Sequence, residues 1–503
     1  MKKTNYIRNH YSYLIIIIFG LLYLSFLSNN PSGDSFANTY LSQTTPSYFS
    51  AHHLLYSFFG YIVLSVFPST WSSLAILQVV NAMFSVFTLL LIRRIVKRQN
   101  PNEKYIAYSI VFCASTFSFL RFATDNECYI IPLFFTMLGI YYLQSFLREN
   151  NMQRLVKMAL ALVVGTLFHQ IVIITLLSIF VFLCFNKNKK YVITYTLLSL
   201  IVPLTYWIIS ITQNHTFSLI ALFHFITHDY YYGYAESPII KQVVILGFVS
   251  FVRTFIQVHG YMFNIIKHMP ILSISIIVIC LFFFIMGIRH LLISKKQELT
   301  LFHQRRFIRT IWVTFIANLC FALLSNGNSE FMVLLPFLLT IIGVYYYKDN
   351  SFMAYLGYGF LLWNIIFALI PYNQKNLNTN TSLVTYIHNN PNNIYLLKDL
   401  PPIENEYMYR YHQPLPQSIY IIRIKQNDID MLLKTKKTII TDAYQPKDSK
   451  TISRSSIVAK EQIKILMKYS TEKNPYKIYK IDPPLTTIYS KTDNINLNKI
   501  IIK

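Results

Sequence analysis

Residues 71–98 read WSSLAILQVVNAMFSVFTLLLIRRIVKR. The uncharged run 71–92 is followed at once by Arg93, Arg94, Lys97 and Arg98. A helix needs about 20 mostly apolar residues to cross the hydrocarbon layer, and Lys and Arg gather where a span meets the cytoplasm. The stretch therefore predicts a transmembrane helix whose C-terminal end is cytoplasmic.

Similar apolar runs lie on either side, at about 11–28, 105–121, 128–147, 155–169, 170–186, 191–211, 270–291, 308–325, 331–347 and 352–371. The pair 155–169 and 170–186 is short for two spans, and Gly165 with His169–Gln170 near its middle suggests a tight hairpin. Positive charge recurs in alternate connections: Lys2, Lys3 and Arg8; Arg93 to Lys104; Arg148, Arg154 and Lys157; Lys187, Lys189 and Lys190; and Arg289 to Arg309. Residues 29–50 and 326–330 carry no Lys or Arg. Placing the basic loops in the cytoplasm lets about eleven spans alternate without conflict, and puts residues 372–503 outside it. The basic clusters read as topology signals. Two apolar stretches do not fit as crossings. Residues 52–67 follow a His pair and end at Pro68, and 243–264 contain Arg253 and His259. Charge is unfavourable at mid-bilayer, so both read as amphipathic helices at the outer interface.

Composition agrees with a polytopic membrane protein of the plasma (inner) membrane. Of 503 residues, 54% are hydrophobic and 13% charged, against about 25% charged in soluble domains, and the mean hydropathy is +0.40. The net charge of +24 is scattered between spans and forms no continuous stripe, so nucleic acid is excluded as a partner. The five cysteines show no CxxC spacing and read as small buried hydrophobes, with no disulfide framework or zinc site. The N-terminus reads as an uncleaved first helix. From 372 onward Lys, Asn, Asp and Thr replace the apolar runs. Short β-like runs at Ile394–Leu397, Ser418–Ile424, Thr438–Thr441 and Tyr476–Ile481, with a helix-like stretch at Ala459–Tyr469, predict a small α/β domain over 372–503.

Polar groups near a bilayer are expensive, so their positions carry information. The first outer loop, Asn29–Pro46, reads NNPSGDSFANTYLSQTTP, with Asp34 its only charge. His52 and His53 open the following interfacial helix. Arg121, Asp125 and Glu127 lie in the next outer turn, His169 at the hairpin, and Glu330 in the turn 326–330. The loop 212–242 holds His215, His224, His228, Asp229, Glu236, Lys241 and four tyrosines. Each has a plainer reading: Asp34 as turn chemistry, the tyrosines as an aromatic belt, Arg121 as a snorkelling cation, His169 as a core histidine. Together they describe a polar cavity opening outward. There is no P-loop, GxGxxG, GxSxG or HExxH motif.

The layout resembles the GT-C fold glycosyltransferases, multi-spanning enzymes that use polyprenyl-phosphate-linked sugars. The resemblance covers most of 10–371 and rests on short segments: Gly33-Asp34-Ser35 after the first helix, His52-His53-Leu54-Leu55-Tyr56, Asp125-Asn126-Glu127-Cys128-Tyr129, Leu167-Phe168-His169-Gln170, and Ser329-Glu330-Phe331 before Leu335-Pro336. It implies inverting transfer of a hexosyl or pentosyl group from a polyprenyl-phosphate donor to a glycan, lipid or protein acceptor at the outer face. It also implies Asp34 as base and a substrate site including His52, His53, Arg121, Asp125, Glu127, His169, Lys241 and Glu330. Asp34, Asp125 and Glu127 are the acids that would take a divalent cation. Many members have two adjacent acids where this chain has Asp34 alone. A polysaccharide polymerase or ligase, or a lipid-glycan flippase, is the alternative. The former centres on a large late loop, and the latter predicts repeated halves and ionisable residues deep in the spans.

Overall fold

The structure is a computed structural model that describes residues 10–45, 49–186, 188–215, 217–228, 240–258, 261–373, 379–397, 400–420, 431–432, 435, 437–441 and 486–488. The described residues fall into two compact units, one within Met1–Ser28 and Leu41–Asn373, the other within Asn29–Tyr40 and Gln374–Lys503.

The first unit is a bundle of helices. Every run expected to span coincides with helix, but the lengths differ from expectation. Seven helices among the described residues are long and apolar enough to cross a membrane, or eight if the pair Glu103–Ala114 and Phe117–Ala123, bent by 73°, is one span. The stretches expected at 11–28, 155–169 and 170–186 are helices of 15, 17 and 14 residues. By length alone the count is therefore below eleven. The helix Ser73–Gln99 is the longest, at 27 residues, about 40 Å at 1.5 Å per residue. Ser72 caps it by accepting from the Ala75 N–H. The hairpin between Ile130–Glu149 and Met152–Phe168 turns on Asn150, whose φ of 54° is the left-handed conformation asparagine tolerates, and Asn151 caps the second helix.

Pro270–Ile293 is apolar all round. It leaves Ile271, Ile274, Val278, Phe282 and Ile285 exposed and buries only Ser273, Ile276, Cys280 and Gly287, a narrow seam with lipid as the natural solvent for the rest. A Cβ on Gly287 would lie 2.7 Å from the Leu356 side chain, so this small residue lets the helix Ser351–Asn364 approach closely.

Two arginines expected only as topology signals are structural. Arg93, 3% exposed, pairs with Glu103 at 2.8 Å, donates through Nε to Ser12 at 2.7 Å, and lies 3.7 Å over the Tyr13 ring. Arg98 donates to Ser145 at 2.7 Å and to the Tyr141 carbonyl at 3.1 Å. At the other end of the bundle Asn364 stitches two helix interruptions together. Its Nδ2 donates to the Ser115 carbonyl at the 73° bend and to the Phe255 carbonyl, and its Oδ1 accepts from the Gln257 N–H. The stretch 243–264, expected as one interfacial helix, is instead the helix Ile240–Phe255, then a break, then Tyr261–His268.

The second unit is α/β. Strands β1 (Ile394–Leu397), β2 (Ser418–Tyr420), β3 (Ile439–Thr441) and β4 (Thr486–Ile488) form a sheet in the order β2-β1-β3-β4. β1 is parallel to both neighbours, with Leu396 opposite Ile419 and Thr441, and β4 is antiparallel to β3. The helix Leu400–Tyr411 makes the crossover from β1 to β2, as parallel pairing requires. Its Ile403 and Tyr407 bury against Leu383, Val384, Ile387, Tyr395 and Leu397. The strand expected at 476–481 and the helix at 459–469 lie outside the described residues, as do residues 421–424.

Asn29–Tyr40, expected as open loop, belongs to this second unit, and Gly33–Thr44 is helix. Ser32 starts it by accepting from the Ser35 N–H at 3.0 Å. Asp34 is exposed in its first turn.

Candidate functional site

The turn after Phe117–Ala123 was expected to be open, yet it is buried. Asp125 and Asn126 are 0% exposed and Glu127 4%. Buried polar groups need partners, and these come from polar residues inside neighbouring helices. Asn81 donates through Nδ2 to the carbonyls of Asp125 and Glu127 at 2.7 and 2.9 Å. Gln78, one helical turn earlier, donates to the Ser28 carbonyl and to Asp125 Oδ1 at 3.0 and 3.3 Å. The Tyr56 hydroxyl donates to Asn126 Oδ1 at 2.8 Å. Asp125 in turn holds Arg121, with Oδ2 2.7 Å from Nη2. Arg121 also donates to Ser28 Oγ at 3.0 Å, and its guanidinium lies 4.1 Å from the Tyr372 ring centre, within cation–π range.

Sequence reading noticed a second arginine only as an obstacle to crossing. Arg253 projects from Ile240–Phe255 to where Tyr372, Glu330 and Arg121 all act on it electrostatically. Its Nη1 donates to Ser329 Oγ at 3.4 Å, its guanidinium lies 5.5 Å from the Phe117 ring centre, and its Nε is buried with no hydrogen-bond partner. No carboxylate among the described residues pairs with it. A charged residue near the end of an otherwise apolar helix was the available signal.

A second group adjoins through Glu330. Tyr129 donates its hydroxyl to Glu330 Oε2 at 2.8 Å, and Asn328 caps the same turn. The Tyr129 ring centre lies 4.9 Å from His169, which lies 4.7 Å from His53. His169 Nδ1 accepts from the Ile171 N–H, so the ring is oriented, while its Nε2 is buried without a partner. Burial, and then the neighbouring His53 and His52, hold its pKa well below the ordinary 6.5. His52 Nδ1 lies 3.2 Å from Gln170 Oε1. The histidines do not open a helix as expected; they precede Tyr56–Leu64, because the backbone of His52 and Leu55 bonds to Gln170 and Leu167 at the hairpin. Beside Tyr129 is a cavity of about 20 Å³, lined by Thr136, Thr175, Asn318 and Phe331 among others, room for about one water.

No family model matches the chain, and no curated protein matches it by sequence. Solved structures do. The Archaeoglobus fulgidus oligosaccharyltransferase, crystallised with Zn and sulfate, superposes with a TM-score of 0.51 over 91% of this chain and 71% of its own, at 10% identity. The chain has the GT-C fold. The same oligosaccharyltransferase in its apo form gives 0.48 at 11% identity. ArnT from Cupriavidus metallidurans, bound to undecaprenyl phosphate, gives 0.42 at 9% identity over 95% of this chain and 97% of its own. The superposition at 0.51, with the long apolar helices of the first unit, makes the chain a multi-pass membrane protein with a GT-C architecture.

Within this GT-C fold the first unit brings His52, His53, Arg121, Asp125, Glu127, His169 and Glu330 into contiguous contact groups, joined by Arg253 and Tyr372. Asp34 is described with the second unit, and the Lys241 side chain lies outside the described residues, as does the tyrosine run from 230. Asp125 is a poor ligand for a divalent cation. Its carboxylate accepts from Arg121, from Gln78 and from the Asn126 N–H at 2.9 Å. Among the described residues no three His, Cys, Asp or Glu side chains are grouped to hold a metal.

Proposed function

We propose that this protein is a membrane glycosyltransferase that moves a sugar, with inversion, from a polyprenyl-phosphate donor to a hydroxyl or amine acceptor at the extracytoplasmic face. The fold supports transferase chemistry. The observation that carries the donor class is the meeting of Arg121 and Arg253 at Tyr372, with Arg253 lacking a carboxylate partner. An arginine that Glu330 influences without pairing with it is suited to a phosphate, and donors fixed where negative charge develops are a large source of catalysis.

A lipid phosphate leaves as a stabilised anion, so no general acid is required. The bond between the anomeric carbon and the phosphate oxygen breaks as the acceptor attacks the opposite face, and the acceptor's proton passes to a base. One carboxylate suffices for that task. Asp34, exposed in the first turn of its helix, is assigned the role. Arg121 and Arg253 take the phosphate, and Asp125 orients Arg121. His52, His53, His169 and Glu330 are assigned to the acceptor and sugar side. Because Asp125 does not fit a metal, no step is routed through one. The N-terminus is assigned to the cytoplasm and residues 372–503 to the outside.

The test uses the purified full chain in lipid nanodiscs with polyprenyl-phosphate sugars. Asp34→Asn is expected to lower the transfer rate by about 10²–10⁴-fold, the usual worth of a general base, with donor binding retained. Transfer at the wild-type rate would remove Asp34 from the mechanism, and a reporter fused after residue 503 that reads cytosolic would put the site on the wrong face.

A further inference from the structure

Asp34 stands near one end of the chain in sequence, but its segment is built into the other. Asn29–Tyr40 forms one compact unit with the residues after Gln374, and the element it rests on is the helix Leu400–Tyr411. At Gly33 the contact is backbone on backbone. A Cβ there would lie 2.8 Å from Pro402 Cα and 2.9 Å from its Cβ, so no larger residue fits without moving one helix off the other. Further along, Phe36 packs on Tyr409 with ring centres 5.2 Å apart, and Tyr40 on His412 at 5.9 Å. Phe36 and Tyr40 are four residues apart, one ridge of a helix. Pro402 and Tyr409 are two turns apart on the facing one.

The other face of Leu400–Tyr411 is fixed independently. Ile403 and Tyr407 bury in the core beside β1. Glu406, 0% exposed, accepts from Thr381 Oγ1 at 2.7 Å and from Arg410 Nε at 2.8 Å. One face of this helix is therefore locked to the sheet while the other carries Gly33, Phe36 and Tyr40. Asp34 lies between two of these contacts, and they set its rotation about its helix.

We infer that Leu400–Tyr411 is a positioning element for Asp34, and that Gly33 is glycine because Pro402 must touch its backbone. The C-terminal domain then acts in the transfer reaction through the first extracytoplasmic segment. This rests on the reading of Asp34 as base. A misplaced catalytic group of about 1 Å costs on the order of 10²-fold in rate, so Gly33→Ala in the full chain is expected to lower kcat roughly ten- to hundredfold, with the KM for donor within about twofold of wild type.

The deciding readout is the double variant. If Gly33 acts through Asp34, Gly33→Ala adds no further loss on top of Asp34→Asn, whereas a general structural role multiplies the two losses. Should Gly33→Ala fail to fold, Phe36→Leu and Tyr409→Leu loosen the same contact, and the same non-additivity with Asp34→Asn is expected of them. Wild-type kcat in these variants, or losses that multiply, overturns the inference. An inactive Asp34→Asn beside a fully active Gly33→Ala sinks the positioning role alone. A fully active Asp34→Asn sinks the base assignment and the inference together.

Discussion

Arg93 and Arg253 stand in the same helical unit, and each is the kind of residue a bilayer excludes unless something holds it. Arg93 is held completely. Glu103 takes its charge, Ser12 its Nε, and the Tyr13 ring its face. Arg253 bonds to the neutral side chains of Ser329 and Tyr372, feels Glu330 without pairing with it, and has a buried Nε with no partner. The first arrangement closes a structure. The second leaves a cation with no carboxylate pair among the described residues, and on that difference rests the proposal that one arginine serves folding and the other an anion.

The largest effect that would break this comparison is on stability. Arg93→Gln leaves the mostly buried Glu103 with only the exposed Lys97 ammonium 4.0 Å away, and half-broken buried pairs lose up to about 3–5 kcal/mol. Unfolding of the solubilised protein, followed by circular dichroism, is expected to register this, while the rate per folded molecule stays at the wild-type value. Arg253→Gln should do the reverse. Removing one preorganised donor of this kind lowers turnover by about 10²–10³-fold, with thermal stability held or slightly raised because an incompletely partnered charge is gone. If Arg253→Gln were to destabilise as Arg93→Gln does and keep its activity, the two arginines would be alike and the anion site would be withdrawn.

The smallest effect concerns His169, whose Nε2 is also buried without a partner. Its pKa in the folded chain is depressed below 6.5. Below that pH the unfolded chain binds a proton that the folded one refuses, so stability is present at neutral pH and falls as the pH drops. The slope is at most about 1.4 kcal/mol per pH unit for one group. Melting between about pH 7 and pH 5.5 should lose less in His169→Gln than in wild type. An equal loss in both would remove His169 as the titrating group.

Much of the bundle was legible because a bilayer imposes a length and a solvent on every crossing. Runs such as 71–92 and 270–291 cannot be read otherwise, and the helices Ser73–Gln99 and Pro270–Ile293 follow them. The strands Ile394–Leu397 and Ile439–Thr441 were visible for a similar reason, as short apolar runs in a polar tail. What sequence reading missed are side chains whose partners are far away in the chain. Gln78 and Asn81 interrupt an apolar run without explanation until the Asp125 turn is brought against them. The acids at 125 and 127 look like open-loop chemistry until their burial is seen. Residues 29–46 look like loop because the helix there is polar, and their partner helix, Leu400–Tyr411, has too little apolar periodicity to stand out. Arg253 was seen only as a charge unsuited to a crossing, since only the structure says which residues surround it.

Asn364 has a consequence for how the protein is made. The carbonyl of Ser115 waits for a donor that lies 249 residues downstream. At a synthesis rate of about 5–20 residues per second, that is roughly 12–50 s of translation. The Ser115 carbonyl waits through this whole interval and the Phe255 carbonyl through its last 109 residues, and a single late-arriving amide quenches both. The nascent bundle therefore stays unlatched until the helix Ser351–Asn364 enters the membrane, and ribosomes stalled before that point should leave a product far more sensitive to protease than its apolar content implies.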